Sequence, residues 1–402
     1  MLEGGGGLLG CCPYHRLHEL LWFFNRKAAD SATCDCQSRI VEEGRDKDED
    51  GIPLISRDDP ATESAEALEQ CDQQPQLIAR VVELALQELP DLPRLLVVKF
   101  LARPRYVCAA SGRMHTVLLR DDEKVVAFGW NRHGQCCVPA LPKLNSLRYT
   151  ALAAGGGHTV LLRSDGNVDT IGYNANGQCN VPSLPKDMQY IAIAAGDQFT
   201  IVVRSDGQAI IVGKCEVLGD ASVEWLLRSR VPDVRYIGVS AGGDIFILLL
   251  SNGQAIASGD DNDGACTIPE LPEGRSYTSS AVGTRHTVLL RDDGQVFAQG
   301  HNGAGQCEVP ALPPDVKYTA VAAGAQHTVL LRSDGNVEAF GYRADGQCDV
   351  PPLETGLYYV GVSTGFGHTV LLRSDGAALS FGIKLFGRCD VPALPPGLRY
   401  IG

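Results

Sequence analysis

Little in the composition of this chain points to chemistry. Of its 402 residues only three are Trp and three are Met, and aromatic residues make up 6%. No uninterrupted apolar run approaches the roughly 18 residues of a membrane-spanning helix, so no membrane span is expected. Positive charge is in deficit: 35 Lys and Arg stand against 48 Asp and Glu, for a net charge of -13. That balance excludes the basic footprint of a direct nucleic-acid binder. The start of the chain lacks the positive end and long apolar core of a signal peptide. No nucleophile–base–acid set stands out and no metal-ligand cluster converges. A non-catalytic chain without cofactor or metal is therefore expected.

Glycine, cysteine and repetition are abundant instead, with 45 Gly and 14 Cys. The stretch Ala322-Ala-Gly-Ala-Gln-His-Thr-Val-Leu-Leu-Arg-Ser-Asp-Gly335 recurs through the chain. His286 and His368 open the same His-Thr-Val-Leu-Leu-Arg phrase 41 residues before and after His327, and His115 and His158 open it earlier. Phe199 and Ile245 begin two worn copies. A fixed period of this length outranks every other signal, because it is the mark of a repeat architecture.

One unit, residues 318–353, shows what each copy encodes. Tyr318 to Gly324 suits a strand, and residues 327–332 form a second strand, apolar throughout and so buried on both faces. Ser333-Asp334-Gly335 is a tight hairpin turn. Asn336 to Gly341 is a third strand, Tyr342 to Cys348 an exposed loop, and the Val-Pro exit is confined to an edge by proline. Three or four short antiparallel strands per 41 residues describe one propeller blade, which buries its faces only against its neighbours. The turns at Asp122, Asp165, Asp206, Asn252, Asp293, Asp334 and Asp375 number the blades at seven. The terminal Leu398-Arg-Tyr-Ile-Gly402 restarts the first strand and is expected to close the ring.

The fold expected is all-β: a seven-bladed propeller over 104–402, preceded by an acidic arm that is largely disordered. Residues 1–74 read as tail and linker. Charge runs such as Asp46 to Asp50 cannot bury enough apolar surface to offset ordering entropy, and Arg57 stands where a calcium loop needs its Glu. The Cys11-Cys12 pair with Trp22 reads as a sticky helix or tail rather than a lipid anchor, and its Cys/His spacing fits no zinc template. Within 75–103, residues 76–89 form an amphipathic helix with Ile78, Val81, Val82, Ala85 and Leu89 on one face. The run Leu95 to Leu101 follows, expected to pack that segment on the repeat body. Cys136, Cys179, Cys215, Cys266, Cys307, Cys348 and Cys389 keep repeat register, too far apart for disulfides, and are read as reduced and half-buried.

The phrase Ala-Gly-x-x-His-Thr-Val-Leu-Leu, followed by Asp-Gly-x-Val-x-Ala-Phe-Gly-x-Asn-x-x-Gly-Gln, resembles the regulator-of-chromosome-condensation repeat over about three quarters of the chain. The short unit with its Val-Pro exit is most similar to the bacterial β-lactamase inhibitors built on this repeat. Related propellers occur in the exchange factor for the Ran GTPase, in HECT ubiquitin ligases and in a plant UV-B photoreceptor. The resemblance implies a propeller that binds proteins, and no single activity. Three tryptophans, Trp22, Trp130 and Trp225, exclude the tryptophan-cluster photoreceptor.

Two sets of residues then compete for attention. His115, His158, His286, His327 and His368 recur at equivalent positions. A repeated residue fills a repeated structural need, here a hydrogen bond tying the Gly turn of the first strand to the neighbouring blade. The position after each Phe-Gly instead varies: Trp130, Tyr173, Lys214, Asp260, His301, Tyr342 and Ile383. Equivalent loops share one face of a propeller, and Trp, Tyr and Arg are the usual anchors of interfaces. Trp130, Arg132, Tyr173, Asn174, His301, Asn302, Tyr342 and Arg343 are therefore the candidate partner-binding set. Trp225 joins them from the irregular stretch Gly213–Asp233, and Asp260 to Gly264 reads as a polar loop. The expected function is protein binding as an adaptor or regulatory subunit. The alternatives are guanine-nucleotide exchange on a small GTPase, or substrate recognition beside a ubiquitin ligase. A monomer in the cytoplasm is expected, with the nucleus as the alternative compartment.

Overall fold

Each copy of the repeated phrase folds into one antiparallel three-stranded sheet in the computed structural model, which describes residues 105–142, 147–215 and 234–394. The seven sheets span 106–129, 149–172, 190–213, 236–259, 277–300, 318–341 and 359–382. In each, the strands pair in sequence order. This is the seven-bladed, all-β propeller the period implies, with three strands per blade and the Val-Pro exit outside the sheet. The expected arm over 1–74, the helix at 76–89, the run Leu95 to Leu101, Trp225 and the closing strand at 398–402 lie outside the described residues.

The middle strand carries the packing. His327–Arg332 is buried at every position but its last, because an apolar strand flanked by two partners in its own sheet lies between two neighbouring sheets as well. The core is thus a series of layers between blades: Val288 and Leu290 of the fifth blade meet Leu330 and Phe340 of the sixth. Burying one such Leu or Val is worth about 2 kcal/mol. The first strand opens on a buried Tyr, and its second residue bulges out of register. Tyr318 pairs with Arg332 and Ala320 with Leu331, which leaves Thr319 unmatched.

Turns and exits hold themselves. Asp334 accepts from the Arg332 guanidinium at 2.5 Å and from the Asn336 amide at 3.1 Å. Gly335 supplies the positive φ of +80° that this hairpin needs. The same Arg–Asp pair recurs at Arg163–Asp165, Arg204–Asp206, Arg291–Asp293 and Arg373–Asp375, so these carboxylates serve turns. The opening Tyr of one blade anchors the exit of the blade before it. Tyr190 donates to the Pro182 carbonyl at 2.8 Å, Tyr318 to Pro310 at 2.9 Å and Tyr359 to Pro351 at 2.8 Å. Tyr106 makes the same bond to Pro392 at 3.0 Å, which joins the first blade to the exit of the seventh.

Candidate protein-binding face

The recurrent histidines sit at the ends of the middle strands, wholly buried. Each reaches the threonine of the next blade through Nε2: His115 to Thr159 and His158 to Thr200, both at 2.8 Å, His286 to Thr328 at 2.9 Å and His327 to Thr369 at 3.1 Å. His368 reaches Thr116 of the first blade at 2.9 Å and closes the ring. Each of these hydroxyls donates its proton to a loop carbonyl, as Thr116 does to Arg388 and Thr159 to Gln135. Oγ1 must then accept from Nε2–H, which fixes the neutral Nε2–H tautomer and leaves Nδ1 without a partner. Burial pushes the imidazoles far down, His115, His327 and His368 to about 3 and His158 and His286 to about 4. A methyl group at Gly324 would overlap the His327 ring and the Gly365 carbonyl, which explains the glycine before each imidazole. The polar contact lies between two middle strands, with the glycine turn packed on the ring. Uncharged and enclosed, these histidines are joints rather than reactive groups.

Strand direction sends the first turn and the loop after the third strand of every blade to the same face. The described loops are held by their own side chains. Asn174 Oδ1 accepts from the Cys179 amide at 2.8 Å and Asn302 Oδ1 from the Cys307 amide at 2.9 Å. Asp260 and Asp261 do equivalent work, accepting from the Asn262 and Cys266 amides. The in-register cysteines are free and half-buried. The Cys136, Cys307 and Cys389 thiols donate to the carbonyls of Trp130, His301 and Ile383 at 3.4–3.5 Å. Burial pushes Cys136 and Cys307 up to about 11, so these thiols are unreactive loop braces.

On this frame the face divides into sectors. Trp130 packs edge-on against His133 at 5.0 Å between ring centroids, and His133 lies 4.9 Å from Tyr173. Phe386 approaches Trp130 from the seventh blade at 6.5 Å. One aromatic row therefore crosses the seventh, first and second blades, with exposed Arg132 on its rim. Tyr342 and His301 meet around a separate cavity of about 250 Å³ beside the axial channel. Arg343 and Asn302 are exposed outside its lining. Of the described candidate residues, Trp130, Arg132 and Tyr173 gather at the aromatic row and His301 and Tyr342 at the cavity, while Asn174 and Asn302 are committed to their own loops.

Three residues that the sequence reading passed over belong to this face. Phe366 is 43% exposed at the first turn of the seventh blade, and Leu385 and Phe386 are 64% and 57% exposed in its loop. Phe386 holds a positive φ of 63°, an uncommon conformation for a bulky residue. The opposite, hairpin end carries exposed Val107, Ile191, Ile237 and Val360 at the bulge positions. Among the described residues no group of three or more His, Cys, Asp or Glu could hold a metal ion, and no helix is long and apolar enough to cross a membrane.

A closed ring of seven three-stranded blades with short loops on one face defines a repeat propeller. Residues 149–178 match the family model of the regulator of chromosome condensation (RCC1) repeat, so the resemblance read from the recurrent phrase holds. No curated protein matches the chain in sequence. Solved structures share the fold. Prp20p from Saccharomyces cerevisiae, described with its binding properties to Gsp1p and histones, is 17% identical with a TM-score of 0.55, over 69% of this chain and 82% of that one. Human WBSCR16 is 18% identical with a TM-score of 0.54, over 67% and 87%. The ectodomain of the Physcomitrella patens receptor kinase CR4 is 18% identical at 0.53, over 69% and 74%.

Proposed function

We propose that this chain is a protein-interaction module, an adaptor or regulatory subunit, that binds its partner through the face carrying the loops after the third strands. The band of exposed Tyr342, Phe366, Leu385 and Phe386, continued by Trp130 and Tyr173, carries this reading. Soluble domains rarely leave large aromatic and aliphatic side chains gathered on one face, and such anchors set inside a polar rim dominate binding energy. Arg132, Asn174, Asn302 and Arg343 supply the rim. The loops need no side-chain rearrangement to present these groups, since their Asn, Gln and Cys side chains already hold the backbone.

A second reading is guanine-nucleotide exchange on a small GTPase, an activity found in the resembled repeat family and favoured by the shared fold with Prp20p. Its expected intruding loop, Gly213–Asp233, lies almost wholly outside the described residues. Partner capture by the full chain, beside a variant with Trp130, Tyr173 and Tyr342 changed to Ala, tests the first reading. Nucleotide release from a captured GTPase tests the second. Identical partner sets from the two baits would contradict binding through this face.

A further inference from the structure

The cavity on the loop face lies where two other blade boundaries carry a polar side-chain contact. At two boundaries of the ring the fourth residue of the loop bonds to the residue that precedes the middle strand of the next blade. Between the fourth and fifth blades this pair is Asp263 and Arg285, bridged at 2.7 Å. Between the second and third blades it is Asn176 and Gln198, hydrogen-bonded at 2.6 Å. Between the sixth and seventh blades the loop residue is Asp345 and the facing residue is Gly367. The acidic half of the contact is present and the side chain that would answer it is missing. Both residues line the cavity of about 250 Å³.

The rest of the lining suits a planar cation. Tyr342, Phe366 and His301 contribute rings, and Ile383 closes one side. Gln306 orients the His301 ring: its Oε1 accepts from the Ala304 amide at 2.9 Å, so its Nε2 amide donates to His301 Nδ1 at 2.8 Å. The charge of Arg285, also in the lining, is answered by Asp263. Asp345 has no ionic partner among the described residues. Phe366 already accepts one guanidinium, that of Arg113 at 5.0 Å from the ring centroid. Arg113 lines the channel mouth and not this cavity. A guanidinium stacks on aromatic faces and pairs with a carboxylate through two parallel N–H donors, which an ammonium cannot do.

We propose that this cavity receives an arginine side chain from a partner protein, with Asp345 as its counter-ion and Tyr342 and Phe366 as its walls. The arginine completes in trans the contact that Arg285 makes in cis two blades earlier. The assignment rests on the protein-binding reading of this face and adds the chemistry of one anchor.

The test uses the full chain and a capped tripeptide, glycine–arginine–glycine, followed by NMR shift perturbation. Its twin carries citrulline, the neutral isostere of arginine. Saturable shifts at Tyr342, Asp345 and Gly367 are expected with the arginine peptide, and binding weaker by about tenfold with citrulline. Asp345→Asn is expected to lower affinity by a similar factor. Gly367→Arg is expected to abolish binding by filling the position from within; an added Cβ there meets only the flexible end of Ile383. Equal binding of the two peptides, or none by either, overturns the proposal. The two levels separate in partner capture. If Asp345→Asn keeps every partner that the Trp130, Tyr173 and Tyr342 variant loses, the cavity is wrong and the face stands.

Discussion

Phe199 and Phe246 pack edge to face at 6.3 Å between ring centroids, in the two positions that elsewhere hold a histidine and the threonine it donates to. Both members change together between the third and fourth blades. The Phe199 ring lies against Gly196 as the imidazoles lie against their own glycines. One boundary of the ring thus replaces a buried polar joint with an apolar one. At the next boundary Ile245 replaces histidine, and Thr287 retains its bond to the Ala265 carbonyl. The irregular copies are therefore a coherent repacking rather than scattered loss.

That coupling is measurable. Phe199→His alone buries an Nε2–H opposite a phenyl ring, and is expected to cost about 2 kcal/mol for the unsatisfied donor together with lost packing. Adding Phe246→Thr supplies the acceptor, so the double variant should be more stable than the sum of the single losses allows. Urea denaturation of the four proteins checks this. Strict additivity would show that the two positions do not act as a pair.

The closing joint between the seventh and first blades should be sensitive to a single atom. Thr116→Val removes the hydroxyl that accepts from His368 and donates to Arg388. Two buried polar groups lose their partner, at an expected cost of about 3 kcal/mol. Thr116→Ser keeps the hydroxyl and should lose less than half as much. A larger loss for Ser than for Val would assign the joint's stability to the methyl group and contradict the hydroxyl's role.

Stability should fall with acidity in a defined window. Five histidines have folded pKa values lowered to about 3 or 4 from an ordinary value of 6.5. Below 6.5 the unfolded chain binds protons that the folded chain refuses. Their contribution is complete above pH 6.5 and is lost as pH falls toward 4, each with a slope approaching about 1.4 kcal/mol per pH unit. The turn aspartates, lowered by their Arg partners, lose their contribution only further down, below 3.8. Urea midpoints between pH 7 and pH 4.5 should fall steeply, and less steeply in His158→Phe. A flat profile over that range would mean that the imidazoles are not enclosed as described.

Seven blades, their strand boundaries and the hairpin turns were legible because each follows from a local pattern repeated at a fixed period. The irregular position after each Phe-Gly was legible for the same reason, since variation stands out only against a constant frame. Contacts between blades were legible only as an expected bond from each recurrent histidine to the next blade, without its threonine partner. The histidine and threonine of one joint are adjacent in the phrase, yet each bonds to its counterpart in a neighbouring copy, 42 residues away for His158 and Thr200. The Tyr–Pro anchors have the same character. Phe366, Leu385 and Phe386 escaped notice because no other copy carries an aromatic or aliphatic residue of that size there. Asp345 gains its meaning only when Gly367 is compared with Arg285.

Apolar groups are exposed at both ends of the ring, so the most direct test of the account compares the ends. One full-length variant carries Leu385→Asp and Phe386→Asp on the loop face. A second carries Val107→Asp and Val360→Asp at the hairpin end, in bulge positions that are half exposed. Partner capture with quantitative mass spectrometry is run on both beside the unaltered chain, after matched urea midpoints show that all three are folded. The account predicts loss of partners from the first variant and retention by the second. Retention by the first and loss from the second would place the binding surface at the hairpin end and contradict it.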